Sequence, residues 1–173
     1  AKGCDNALIV TLGTGVGGGA YLNGEIYAGY NYAGLEVGHI VIEKDGRQCN
    51  CGRKGCFERY AAASALTRDT QAAMKKHPES ALWKICPDIE KVNAKTAFDG
   101  KKQGDAVATQ VVDTYIEYLA CGLVNLINIF QPQVVCLGGG VFNQQESLIN
   151  PIKEYLDKED YARHLMKRVT LKI

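Results

Sequence analysis

Apolar residues in the first third of this chain come in short runs broken by glycine, whereas further on they recur at helical spacing. Ala7 to Leu12 (ALIVTL) is such a run, and it stops at Gly13-Thr14-Gly15-Val16-Gly17-Gly18-Gly19. Its length and flanking glycines predict a buried strand running into a glycine-rich turn. Ala20 to Leu22 and Glu25 to Tyr27 read as two strands joined at Asn23-Gly24, whose residue types supply the positive φ angles of a two-residue hairpin turn. His39 to Glu43 is a candidate further strand.

Phe57 to about Lys76 is alanine-rich, free of glycine and followed by Pro78, which predicts one helix. Ser80 to Ala97 reads as short helices around Pro87. Asp105 can cap a long helix in which Val107, Val111, Tyr115, Leu119 and Leu123 recur every four residues, with Pro132 as its stop. Val134 to Leu137 is another buried strand ending in glycines, Gly138-Gly139-Gly140. Leu148 to Leu156 is amphipathic, and Val169 to Ile173 is a final strand. Strands, then helices, then strand–helix–strand predict an α/β sheet with helices against it. A strand so near each end suggests a chain cut at both ends.

Composition narrows the class. The 173 residues suit one domain; 46% are hydrophobic, 23% are charged and the net charge is +1. Lys and Arg are scattered, so no basic face for nucleic acid stands out. No apolar run approaches the ~20 residues of a membrane span, and Ala1 to Asp5 has neither part of a secretory signal. Seven cysteines, an odd number, with three of them inside eight residues (Cys49, Cys51, Cys56), suit metal better than disulfides. A reducing, cytoplasmic setting is expected.

Those three thiols and His39 lie in GHIVIEKDGRQCNCGRKGCFE. Structural zinc takes four such ligands in a tetrahedron. Gly52 and Gly55 let the chain fold back so that Cys56 can reach the ion held by Cys49 and Cys51. The alternative, three packed thiols and a surface histidine, fits poorly with neighbours that are glycine and charged residues. Cys4, Cys86, Cys121 and Cys136 sit singly in or near apolar stretches and read as packed thiols.

The run Gly13 to Gly19 could present several backbone N–H groups and the Thr14 hydroxyl to an anion. It lacks the Lys-Ser/Thr of a P-loop, and a hairpin follows it where a dinucleotide fold would have a helix. A tight hairpin with no ligand remains an equal alternative. Gly138-Gly139-Gly140 ends a second strand in the same way, and ligands of α/β folds gather at the carboxyl ends of strands. Glu36 and Glu58 flank the proposed metal ligands. Carboxylates there could accept hydrogen bonds from the two adjacent hydroxyls of a vicinal diol, or both could be solvated surface charges.

Taken together, three segments resemble the ROK family of bacterial sugar kinases and sugar-responsive repressors. LGTGVGGG (Leu12 to Gly19) is similar to the family's phosphate-binding turn. GLEVGHIVIEKDGRQCNCGRKGCFERY (Gly34 to Tyr60) follows the pattern ExGH…CxCGxxGCxExY, and NIFQPQVVCLGGGV (Asn128 to Val141) resembles the late strand and its glycines. The resemblance implies a ribonuclease-H-like, actin-type ATPase lobe (hexokinase-like), carrying a zinc- and sugar-binding loop over residues 36–60. It implies zinc on His39, Cys49, Cys51 and Cys56, and sugar hydroxyls on Glu36, His39 and Glu58. It further implies ATP phosphates at Gly13, Thr14, Gly15 and Gly17, with the nucleoside beside Gly138 and Gly139 and Mg accompanying the ATP.

The family's Asp-Gly-Gly-Thr phosphate motif and the Asn-Asp pair that supplies its general base have no counterpart here, since Asp5-Asn6 is reversed and precedes the first strand. Ala62 stands where the family often has Ser. The expectation is therefore a C-terminal lobe over residues 1–173, with the N-terminal lobe absent and no catalytic residue in the chain. Its parent would be an ATP-dependent hexose kinase of glucokinase type, acting on a hexose without membrane attachment. Such kinases are often dimers, so a homo-oligomer is expected. The alternative parent is a sugar-sensing transcriptional repressor, with nucleic acid as partner through an upstream winged helix; a third reading is a zinc-stapled interaction module.

Overall fold

A computed structural model describes residues 3–144 and 146–173. Its core is a five-stranded sheet in the order β3-β2-β1-β4-β5. Central β1 (Ala7–Leu12) pairs antiparallel with β2 (Val16–Leu22), which pairs antiparallel with β3 (Glu25–Tyr27). On its other side β1 runs parallel to β4 (Val134–Gly138), and β4 parallel to β5 (Thr170–Lys172). Parallel neighbours need a long crossover. Between β1 and β4 it contains α1 (Glu58–Ala61), α2 (Ala63–Lys76), α3 (Leu82–Ile85), α4 (Ala94–Lys102) and α5 (Ala106–Phe130). Between β4 and β5 it contains α6 (Glu146–Glu159). Among the described residues no helix is long and apolar enough to cross a membrane.

The strand period sets which face is covered. Leu8, Val10 and Leu12 are buried, as are their cross-strand partners Val135 and Leu137 and the helix residues Leu119 and Leu123 in the same core. Ile9, on the opposite face, is 49% exposed, so β1 is covered on one side and not the fully buried strand its apolar run suggested. The glycine turn is also shorter than expected. β2 begins at Val16, and Gly17, Gly18 and Gly19 are ladder residues opposite Thr11, Val10 and Ile9. The hairpin at Asn23 (φ 53°) and Gly24 (φ 83°) is as the sequence predicts.

Two other expectations change for tertiary reasons. His39 to Glu43 is not a strand: Val37–His39 forms a 3-10 turn, and Val41 makes only an isolated bridge to Cys56. The chain there bonds to the returning cysteine loop, Ile42 N–H to Gly55 O at 2.9 Å and Phe57 N–H to Ile40 O at 2.8 Å. The helix expected over 57–76 breaks at Ala62 (φ −70°, ψ 157°). Ala61 O accepts the buried Tyr115 hydroxyl at 2.9 Å, and Ala63 N–H donates to Gly13 O at 2.9 Å. Both bonds replace helical ones.

In α5 the buried positions include Ala108, Val112, Tyr115, Ile116, Leu119 and Leu123, while Val107 and Val111 are half-buried. A strict four-residue spacing drifts by about 40° per step on a helix of 3.6 residues per turn, which carries those two valines off the core stripe. Asp105 caps α5 as expected. Its carboxylate accepts from Ala108 N–H at 2.7 Å, Ala81 N–H at 2.7 Å and the Ser80 hydroxyl at 2.9 Å. Near the middle of α5, Gly122 makes room for Phe57: a Cβ there would lie 2.2 Å from the Phe57 ring. Phe57 is wholly buried and sits between Cys56 and Glu58, so this notch sets the position of both.

Gly122→Ala should lower stability by about 1–3 kcal/mol in urea unfolding, because overpacking outweighs the ~1 kcal/mol that Ala contributes to helix propensity. A neutral or stabilising result would mean that the Phe57 ring is free to shift. Burial pushes the Asp105 carboxyl up, but the Ala108 and Ala81 N–H groups and the Ser80 hydroxyl outweigh it and hold it below its ordinary value. A depressed native pKa stabilises above the unfolded value and is lost as pH falls through the native one. Asp105→Ala should therefore cost about 1–2 kcal/mol at pH 7, with the gap to the unsubstituted chain narrowing below about pH 4. A gap independent of pH would contradict the capping role.

Candidate metal and ligand site

Local backbone geometry gathers the four metal-ligand candidates. Gly52 (φ 90°) and Gly55 (φ 78°) adopt left-handed conformations, and a Cβ on Gly55 would fall 1.7 Å from Glu43 O. Between them the chain closes a tight turn, with Cys49 N–H bonded to Arg53 O at 2.8 Å and Gly52 N–H to Cys49 O at 3.1 Å. One ligand atom from each of His39, Cys49, Cys51 and Cys56 lies within 4.8 Å of all the others. Cys51 Sγ and Cys56 Sγ are 3.6 Å apart, and Cys49 Sγ is 3.7 Å from His39 Nδ1. A tetrahedral zinc with ~2.3 Å bonds to sulfur needs ligand separations of roughly 3.8 Å, so the donor set and its spacing fit one ion.

The thiols differ in their surroundings. Burial pushes Cys56 up to about 12 and raises Cys49, whereas the backbone N–H of Arg53 lowers Cys51. Close-set buried thiols resist ionising together, and a bound divalent cation reverses that preference.

The same loop supplies a wall of a cavity of about 480 Å³, lined by Thr11, Gly13, Gly15, Gly17, Glu36, His39, Glu58 and Gly139 among others. Close packing against β2 places Glu36 and His39 there. A Cβ on Gly18 would lie 2.7 Å from Val37 Cγ2, and one on Gly38 would lie 2.3 Å from Val16 O. Glu58 opens α1 directly after buried Phe57. Its Oε1 accepts from Cys49 Sγ at 3.2 Å and lies 3.9 Å from His39 Nδ1. On the far side, its Oε2 would be 2.8 Å from any Cβ on Gly15. The glycine turn and the acidic side chain of the metal loop are thus in direct contact.

Beyond Gly13 an adjoining cavity of about 490 Å³ is lined by Thr14, Ser64, Thr67, Asn93, Lys95 and Gly140, among others. Gly139 (φ 112°) joins the two strand ends, since a Cβ there would lie 2.0 Å from Leu12 O. Glu36, His39, Glu58, Gly13, Gly15, Gly17 and Gly139 therefore share one cavity wall, and Thr14 faces its neighbour. Gly138 is a ladder residue opposite Thr11 and lines neither; Gly140 stands in its place. Sequence reasoning did not single out Thr11, Ser64, Thr67, Asn93 and Lys95, which also line the two cavities. The strand period does place Thr11 on the face opposite Val10 and Leu12, but the α2 and α4 residues carry no local signal.

Comparison with known proteins relates the whole chain to one family. A family model described as ROK family covers residues 1–170. Over 153 residues the chain is 39% identical to the glucokinase of Thermotoga maritima, spanning 88% of this chain and 48% of that protein. Over 165 residues it is 29% identical to the xylose repressor of Bacillus subtilis, spanning 94% of this chain and 38% of that one. The crystal structure of a ROK family glucokinase from Streptomyces griseus in complex with glucose and AMPPNP superposes with a TM-score of 0.86 at 29% identity, covering 98% of this chain and 56% of that one. This chain thus spans about half the length of the curated glucokinase it matches. A family match over nearly the whole sequence, on a fold shared with the glucokinase structure, shows that the chain belongs to the ROK family.

Proposed function

We propose that this chain is the C-terminal lobe of an ATP-dependent hexose kinase of glucokinase type, with a structural zinc in the loop over residues 36–60. The observation that carries the reading is the single cavity in which Glu36, His39 and Glu58 face Gly13, Gly15 and Gly17. Carboxylates at Glu36 and Glu58 accept hydrogen bonds from neighbouring sugar hydroxyls, and the His39 ring adds a third polar group. Backbone N–H groups of the glycine turn take the phosphates of ATP with its Mg, and Gly139 lies on the nucleoside side.

Phosphoryl transfer of this kind rests on positioning and charge neutralisation more than on covalent chemistry by the protein. The chain contributes one wall of the reacting volume. The general base belongs to the other lobe of an actin-type, two-lobed ATPase, so the chain alone is inactive. Zinc supplies folding energy to the loop and fixes the His39 ring. A cytoplasmic, reducing setting suits thiols that must stay unoxidised to hold it. Similarity to the xylose repressor of Bacillus subtilis supports a second reading, in which the same cavity senses a sugar for an upstream DNA-binding domain.

Elemental mass spectrometry of the purified chain should find about one zinc per chain, with binding lost in Cys51→Ala and the melting temperature lowered by chelation. Folded, reduced protein without metal would remove the zinc site. In an intact kinase carrying this lobe, Glu58→Gln should weaken hexose binding by about tenfold or more, as expected for losing hydrogen bonds to a charged acceptor. Unchanged affinity by calorimetry would overturn the sugar pocket.

A further inference from the structure

The start of α2 is tied to the glycine turn in an unusual way. Ala62, at its N-cap, offers no side-chain cap. Instead Ala63 N–H donates to Gly13 O at 2.9 Å, and the Ser64 hydroxyl donates to Thr14 O at 2.6 Å. In a planar trans peptide the carbonyl of one residue and the N–H of the next point in opposite directions. Holding the carbonyls of Gly13 and Thr14 toward α2 therefore turns the N–H groups of Thr14 and Gly15 away from it. Among the described residues neither N–H donates to a partner within the protein. Gly13 and Gly15 both line the cavity that holds Glu36, His39 and Glu58.

The peptide between Thr14 and Gly15 is able to turn over, because glycine accepts either sign of φ. The Ser64 bond selects one orientation. Ser64 is exposed on the wall of the adjoining cavity and shares that wall with Thr14, Thr67 and Asn93.

Resting on the kinase reading above, we infer that Ser64 is a positioning residue for the nucleotide. Its hydroxyl holds the Thr14 carbonyl so that the Gly15 N–H stays directed at the phosphates. The short link from Glu58 through α1 to Ser64 means that one segment carries both a sugar carboxylate and the latch on the phosphate turn. The latch acts on nucleotide affinity, whereas Glu58 itself acts on the sugar.

The test uses an intact kinase carrying this lobe, with Ser64→Ala and Ser64→Thr. Calorimetric Kd values are measured for glucose and for a nonhydrolysable ATP analogue with Mg, alongside KM for ATP and the melting temperature. Loss of one hydrogen bond should raise the analogue Kd and KM for ATP about three- to tenfold in Ser64→Ala and leave the glucose Kd within about twofold. Ser64→Thr, which keeps the hydroxyl, should restore both. An unchanged analogue Kd in folded Ser64→Ala overturns the inference, as does equal weakening for glucose and nucleotide, the mark of general loosening. If the unsubstituted protein binds no analogue, the kinase reading itself fails and the inference falls with it.

Discussion

Phe57 is wholly buried, and its ring fills the space that a side chain at position 122 would need. Immediately before it is Cys56, a buried member of the candidate metal-ligand set, and immediately after it is Glu58, on the wall of the cavity. The Phe57 amide is held as well, by Ile40 O at 2.8 Å, one residue beyond His39. One aromatic ring in one glycine notch therefore fixes where the metal loop stands relative to α5, and through α5 relative to the sheet. Polar contacts of the loop reinforce that anchor: Arg47 N–H donates to the Tyr60 hydroxyl at 2.7 Å, and its guanidinium donates to Asp69 at 2.8 Å.

Glycine performs a second, separate task on the sheet. A strand with a side chain at Gly18 could not take the turn at Val37–His39 so close to its surface. Residues that weaken a strand in isolation are retained where another backbone must approach. The result is that His39 and Glu36 reach the end of β1 without a strand of their own to carry them. The cost falls on β2, which depends on its ladder to β1 and on the packing of Val16 and Ala20.

Electrostatically the site is divided. Carboxylates gather on the side of the metal loop, whereas the glycine turn offers neutral N–H dipoles next to the N-terminus of α2, where a helix is partially positive. Two anionic or polyhydroxylated ligands brought together there would not compete for the same wall. The contact between Glu58 and Gly15 is where the two halves meet, and it leaves no room for a side chain at position 15.

The candidate metal ligands were legible as a cluster in the sequence because they are local. His39, Cys49, Cys51 and Cys56 lie close along the chain, and Gly52 and Gly55 announce the reversal that joins them. Strands β1 and β4, the hairpin at Asn23-Gly24 and the Asp105 cap were legible for the same reason: residue type alone sets φ, the period or a cap. Tertiary structure decided the break at Ala62, where Tyr115 and Gly13 take the backbone groups a continuous helix would have used. It also decided that His39 to Glu43 pairs with the cysteine loop and joins no sheet, and that the covered stripe of α5 turns away from Val107 and Val111. The placing of Ser64, Asn93 and Lys95 beside the glycine turn depends on the parallel pairing of β1 with β4 and on how α2 and α4 pack across the crossover. Local chemistry specifies which residues can bind; only long-range backbone pairing and side-chain packing specify which of them share a wall.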